Sequence, residues 1–202
     1  MATPITHLFF ADKFCEKHKN VDRLAFFAWN CLPDIRYIDK YIPRERFHIK
    51  DISLKDVKEE KSDFWKWVKF HSFVDVRRDL YYASNDIYYP SISDGIFIYA
   101  LKVLEDDILY KECLFWTEFV SFFNEYEFPV ENINSNTIKK RKKIIWDYLS
   151  QPPNWKSRKD FILWVGLSDE IYWKIESMLE NIKEKHINDI RNMVSYMENI
   201  IV

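Results

Sequence analysis

Glycine is almost missing: there are two in 202 residues. Tight hairpins need glycine where φ is positive, and phosphate-cradling loops need it where backbone approaches a ligand. The scarcity excludes a hairpin-rich sheet protein and any Gly-rich nucleotide fingerprint. It leaves a helical chain. Cysteine is also sparse. Cys15, Cys31 and Cys113 form no close pair, which excludes a disulfide framework and a cysteine zinc knuckle and suits a reducing compartment. Long uncharged runs are missing. The ten residues 24–33 are among the longest, well short of the ~20 a membrane helix needs. The opening MATPITHLFFADKF meets charge too soon to be a secretory signal, so the expected location is the cytoplasm. Charge of one sign is missing too. A net charge of −2 argues against a general polyanion binder.

Core material is plentiful. Apolar residues make up 48% of the chain, enough for one sizeable domain. A first helix is expected to reach about Lys19, capped by Thr3 or Thr6, with Pro4 in its first turn. A second covers 21–31 and is apolar on several faces (LAFFAW); Pro33 stops it. An irregular, charged stretch follows over 34–61. Further helices are expected over 62–83 with Ser62 as cap, 91–109 after Pro90, 111–126, 137–149 and 157–165. Pro129 and ENINSN mark the clearest loop, and QPPN a second break. The last segment, 168–201, reads as one long helix with Leu179, Ile182, Ile190, Met193, Met197 and Ile200 on helical spacing. It either packs along the bundle or forms a homodimer face. The fold class is all-α: a multi-helix bundle in one domain over 1–202, with a soft boundary near 130–136.

One stretch breaks the rule that a helix hides its apolar face. In KFHSFVDVRRD, His71, Asp75 and Asp79 stand four residues apart, on the stripe that begins with Phe64, Trp67 and Val68. Residues at i and i+4 share a helix face. A carboxylate buried there without a partner costs several kcal/mol, so a cation must face it: an arginine or a metal ion. Of five histidines, His7 sits in an apolar helix start, His48 ends RERFH, and His71 is in the stripe; Asp34 follows a helix stop. The set His7, Asp34, His48, His71 and Asp75 offers nitrogen and oxygen donors of borderline character. They suit Zn²⁺, Mn²⁺ or Fe²⁺ better than Ca²⁺.

The motifs THL, NCLPD, the lone His48 and His71-x3-Asp75 occur in an order that resembles the zinc-dependent phospholipase C family and its single-strand-specific nuclease relatives. A second resemblance, through THL, NCLPD and His71-Asp75-Asp79, is to acyl carrier protein phosphodiesterase. Together they cover about the first 80 residues. The phospholipase resemblance implies an all-helical metallohydrolase in which Asp34, His48, His71 and Asp75 contact a metal ion. His7 would join a neighbouring site, with Asp75 as bridge. That family adds two later histidines and a glutamate. After Asp75 this chain has only His186, so Glu105, Asp106, Asp107 or Glu118 would have to substitute.

A helix-internal ion pair with Arg77 or Arg78 competes with metal ligation at His71 and Asp75. Asp79 reads as an outer carboxylate; Asp34 or Asp79 would serve as general base. Arg36, Arg44, Arg46 and Arg78 crowd the candidate ligands, and guanidinium forks bind phosphate oxygens. The expected activity is hydrolysis of a phosphodiester-type substrate: a phospholipid headgroup, a nucleotide or a phosphopantetheine linkage. The alternative is a catalytically reduced helical protein that binds a partner. The run Lys139, Lys140, Arg141, Lys142 and Lys143 reads as a solvated helix face or as a contact for nucleic acid or an acidic protein.

Overall fold

The computed structural model describes residues 2–87, 95–128, 133–182 and 184–201. Among them are ten α-helices and no strand, so the all-α class holds. The expected helix start at Ser91, its preceding Pro90, and Pro129 with the first part of ENINSN lie outside the described residues.

Helix α1 is Pro4–Lys17 and α2 is Arg23–Asn30. The Thr6 N–H donates to Thr3 Oγ1 (3.3 Å), which makes Thr3 the cap, and Pro4 occupies a first-turn position where no N–H is needed. Both helices are buried round most of their circumference, as the apolar runs HLFFA and LAFFAW require. Pro33 does more than stop α2. It opens a 3-10 turn, Pro33–Tyr37, that turns Asp34 inward.

The stretch read as irregular contains a second 3-10 turn, Arg44–Arg46, and a short helix α3, Leu54–Glu59. Ser53 and Asp56 form a reciprocal capping box that starts α3, a local signal overlooked among the charges. Helix α4, Asp63–Ser84, begins at Ser62 as expected and runs for 22 residues. It carries the buried stripe Trp67, Val68, His71, Asp75, Arg78 and Tyr82.

Helix α5 is Ile96–Leu109. The helix expected over 111–126 is shorter: a 3-10 turn, Tyr110–Glu112, intervenes and α6 is Trp116–Glu125. Helices α7, Ser135–Leu149, and α8, Trp155–Trp164, follow expectation within two residues at each end. The single long C-terminal helix is a correction. It is two helices, α9, Asp169–Glu180, and α10, Glu184–Ile201. Asn181 ends α9: its N–H takes the Met178 carbonyl and its side-chain amide takes Ser177 O at 2.7 Å. The apolar positions Ile190, Met193 and Met197 of α10 are fully buried within the chain, while Leu179, Ile182 and Ile200 are half-buried.

Helix α1 packs on α2, α4, α5 and α10, and α2 packs on α4 and α6. Helix α7 packs on α6, on α8 and on the Pro33–Tyr37 turn. The Asp34 turn is thus held from the far end of the sequence, while α1 and α4 bring their polar positions together.

Candidate metal centre

His7 on α1, Asp34 in the 3-10 turn, His48 after the second 3-10 turn, and His71 and Asp75 on α4 converge in the interior. Each is at most 8% exposed. His71 Nε2 lies 3.3 Å from His48 Nε2 and 3.8 Å from Asp75 Oδ2. His48 Nε2 lies 3.5 Å from Asp34 Oδ1 and 3.7 Å from Asp75 Oδ2. The His7 ring stacks on His71 at 3.7 Å, with its Nε2 3.4 Å from Asp75 Oδ1. Two trios, His7–Asp34–His71 and His48–His71–Asp75, each bring three donor atoms within 4.8 Å of one another and share His71.

Why these atoms face one another follows from the end of α2. The last carbonyls of a helix have no intrahelical donor and carry its negative pole. The Asn30 carbonyl meets His71 Nδ1 at 2.9 Å, and the Cys31 carbonyl accepts from Arg141 Nε at 2.7 Å. A carbonyl only accepts, so His71 Nδ1 carries the proton. In the neutral ring the Nε2 lone pair then points into the cluster, which is how an outer partner prepares a histidine ligand. Burial, followed by the neighbouring His7, holds the His71 imidazole well below its usual range, so the ring is neutral near pH 7.

Both carboxylates stay ionised. Burial pushes Asp34 upward, but His48, His71 and Arg141 outweigh it and bring its carboxyl below the usual range. Burial likewise opposes Asp75, and the charge of the amino terminus, then His7 and His71, hold it low; the Ala2 N–H donates to its Oδ1. No lysine or arginine pairs with Asp34 among the described residues, and Asp34 Oδ1, His48 Nδ1 and both His7 nitrogens lack a hydrogen-bond partner. Metal–ligand bonds of about 2.1 Å in a tetrahedron set donor atoms about 3.4 Å apart. The observed 3.3–3.8 Å separations fit that scale.

No family model, curated protein or solved structure matches this chain.

The remaining site candidates divide. Arg44 lines a pocket of about 150 Å³ that opens on His48 and Asp75, with Glu45 and Lys50 at its rim. Arg36 lies over the Tyr37 ring and donates to its hydroxyl at 2.9 Å, and Arg46 lies over Phe47. Arg78 is fully buried: its Nε reaches both Glu105 oxygens at 2.9–3.0 Å, and its Nη1 reaches Asp79 at 2.9 Å. It is turned away from any phosphate-binding rim, and Asp79 is turned toward it. Glu105 also accepts from Thr6 (2.7 Å) and Tyr82 (3.1 Å). Asp106 accepts from Thr3 and Tyr148; burial pushes its carboxyl well above the usual range against those donors. Asp107 pairs with Arg158, and Glu118 with Arg23 at 3.5 Å. None of the four acids joins either donor trio.

Arg141 is the residue that sequence reasoning misplaced. It is the centre of KKRKK, yet 2% exposed, and it lies 4.2 Å over Trp164. The signal was there: it follows Ile138 by three and precedes Ile145 by four, on the stripe that faces inward. Lys139, Lys140 and Lys143 are the exposed remainder of the run.

The two kinds of titration shift act in one direction. His71 and Asp34 both bind protons less readily in the fold than in the unfolded chain. Unfolded molecules therefore take up more protons, first below about 6.5 for His71 and again below about 3.8 for Asp34. That stability is complete above those values and is lost as pH falls. The urea midpoint of metal-free protein is expected to drop between about pH 7 and about pH 5.5, and His71→Gln to remove most of that drop. A flat midpoint in wild type over that range contradicts a buried neutral His71.

Proposed function

We propose that the protein is a metal-dependent hydrolase of phosphodiester-type substrates, with a centre of the kind the zinc-dependent phospholipase C resemblance implies. One observation carries this reading: in a buried site, His48 Nε2 lies 3.3–3.7 Å from donor atoms of His71, Asp34 and Asp75, residues of three separate segments, and two donor trios share His71. His48, His71, Asp34 and Asp75 would hold Zn²⁺ or Mn²⁺, with His7 behind His71. A divalent ion bound there lowers the pKa of a coordinated water toward neutrality and polarises a phosphoryl oxygen. Asp34, ionised, is the group this reading assigns to take a proton. Asp79, held by Arg78, is not.

Elemental analysis of purified protein should find about one equivalent of metal, and hydrolysis of bis-p-nitrophenyl phosphate should depend on added Mn²⁺ or Zn²⁺. Metal-free protein whose melting temperature is unchanged by EDTA, and which shows no turnover, removes the reading.

A second reading rests on Lys139, Lys140 and Lys143, which are exposed, and on the commitment of Glu105, Asp106, Asp107 and Glu118 elsewhere. It is a helical protein with a reduced centre that binds nucleic acid or an acidic protein through α7. The same assay separates them, because that protein needs no turnover.

A further inference from the structure

A second cavity, distinct from the one at Arg44, opens on the other carboxylate. It is lined by Asp34 and Tyr37 on one side, by Tyr99 and Lys102 of α5 on another, and by Trp164 of α8. Tyr99 and Lys102 are three residues apart and share a helix face, and the Lys102 ammonium lies 4.8 Å over the Tyr99 ring. Tyr37 is fixed in place by the Arg36 guanidinium on its hydroxyl and by Trp164 edge-on at 5.6 Å.

Lys102 is the anomaly. It is half-buried, and among the described residues no carboxylate lies within ion-pair distance of its Nζ. Two other cations near the centre have a polar partner: Arg36 donates to the Tyr37 hydroxyl, and the buried Arg141 donates to the Cys31 carbonyl and lies over Trp164. Asp79, Asp75 and Glu105 act on the ammonium only from beyond contact distance, so it has lost water without gaining an ion pair. An incoming anion supplies it. By contrast Arg44 and Lys50, in the other cavity, are exposed, share their rim with Glu45 and remain hydrated.

We infer that the cavity beside Asp34 seats the substrate's phosphoryl group, with Lys102 as its counter-ion and the Tyr37 and Tyr99 hydroxyls as neutral donors. This rests on the hydrolase reading for the phosphoryl identity; the oxyanion site itself stands on Lys102 and its surroundings. Burial raises both phenols above their usual range, so they keep their protons near pH 7 and donate. Burial, then the charge of Arg78, lowers Lys102. An anion at the ammonium reverses that, so binding draws the lysine toward its charged form.

Calorimetric titration of inorganic phosphate tests this, on protein loaded with Mn²⁺ and on chelator-treated protein. Lys102→Gln should weaken phosphate binding by about tenfold or more, whereas Lys102→Arg and Arg44→Gln stay within about threefold of wild type. Acetate, titrated in the same way, should bind about tenfold more weakly than phosphate, because it lacks the third oxygen for the phenols. The inference is overturned if wild type binds no phosphate, if Lys102→Gln matches wild type, if Arg44→Gln loses as much, or if acetate binds equally well. A separate Mn²⁺ titration reports on the metal centre. Should that centre fail to load, the comparison on metal-free protein decides Lys102 by the same criterion. Lys102→Met provides a second neutral variant that preserves the aliphatic stem.

Discussion

Replacing His71 by alanine is expected to strip the protein of its divalent ion and reduce phosphodiester hydrolysis to the uncatalysed rate. His71 belongs to both donor trios, so its loss leaves neither complete. Changing an outer partner of a metal ligand typically costs 10–100-fold in affinity; losing the ligand itself should cost at least about 100-fold. The variant also leaves the Asn30 carbonyl without its donor, at about 1–3 kcal/mol of stability. Circular dichroism and a urea titration separate that from the loss of metal. Asp79→Asn is the control. Its carboxylate faces Arg78, so metal content should match wild type. Full metal occupancy in His71→Ala, measured by elemental analysis on folded protein, sinks the proposed centre.

The second result concerns stability. Arg78→Met should destabilise the fold by about 3–5 kcal/mol, because it leaves the buried Glu105 carboxylate without its cation, held among the described residues by Thr6 and Tyr82 alone. In a chain of this length that lowers the melting temperature by roughly 10 °C. Removing both charges together, Arg78→Met with Glu105→Leu, should recover most of the loss, since apolar groups of similar volume need no counter-charge. A double-mutant cycle in urea measures this. If Arg78→Met costs under about 1 kcal/mol, or if the double variant is as unstable as the two single losses summed, the pair does not hold α4 to α5 in this way.

These two variants share a helix face and test different answers to one physical problem. On α4, the buried stripe carries His71, Asp75 and Arg78 in consecutive turns. Arginine satisfies the acid of α5 at the lower end. At the upper end imidazoles surround two ionised carboxylates, and Arg141 acts on Asp34 only at longer range.

What was readable in the chain was what obeys local rules. Two glycines, a helical apolar period and caps such as Thr3 and Ser62 specify helices whatever they later pack against. The pairing of His71 with Asp75 is equally local, because four residues make about one turn. The long C-terminal helix misled for a related reason. From Leu179 to Ile190 is eleven residues, close to three turns, so the apolar phase runs on through the break at Asn181 and hides it. Everything non-local needed packing. His48 and Asp34 reach His71 because α2 docks on α4 and α7 holds the Pro33–Tyr37 turn. Arg141 reads as part of a basic run until α7 is rotated against its neighbours. Charge and hydropathy record what a side chain is. Whether it meets water, a carbonyl or another charge depends on segments over a hundred residues away, as with Arg141 and the Cys31 carbonyl, 110 positions apart.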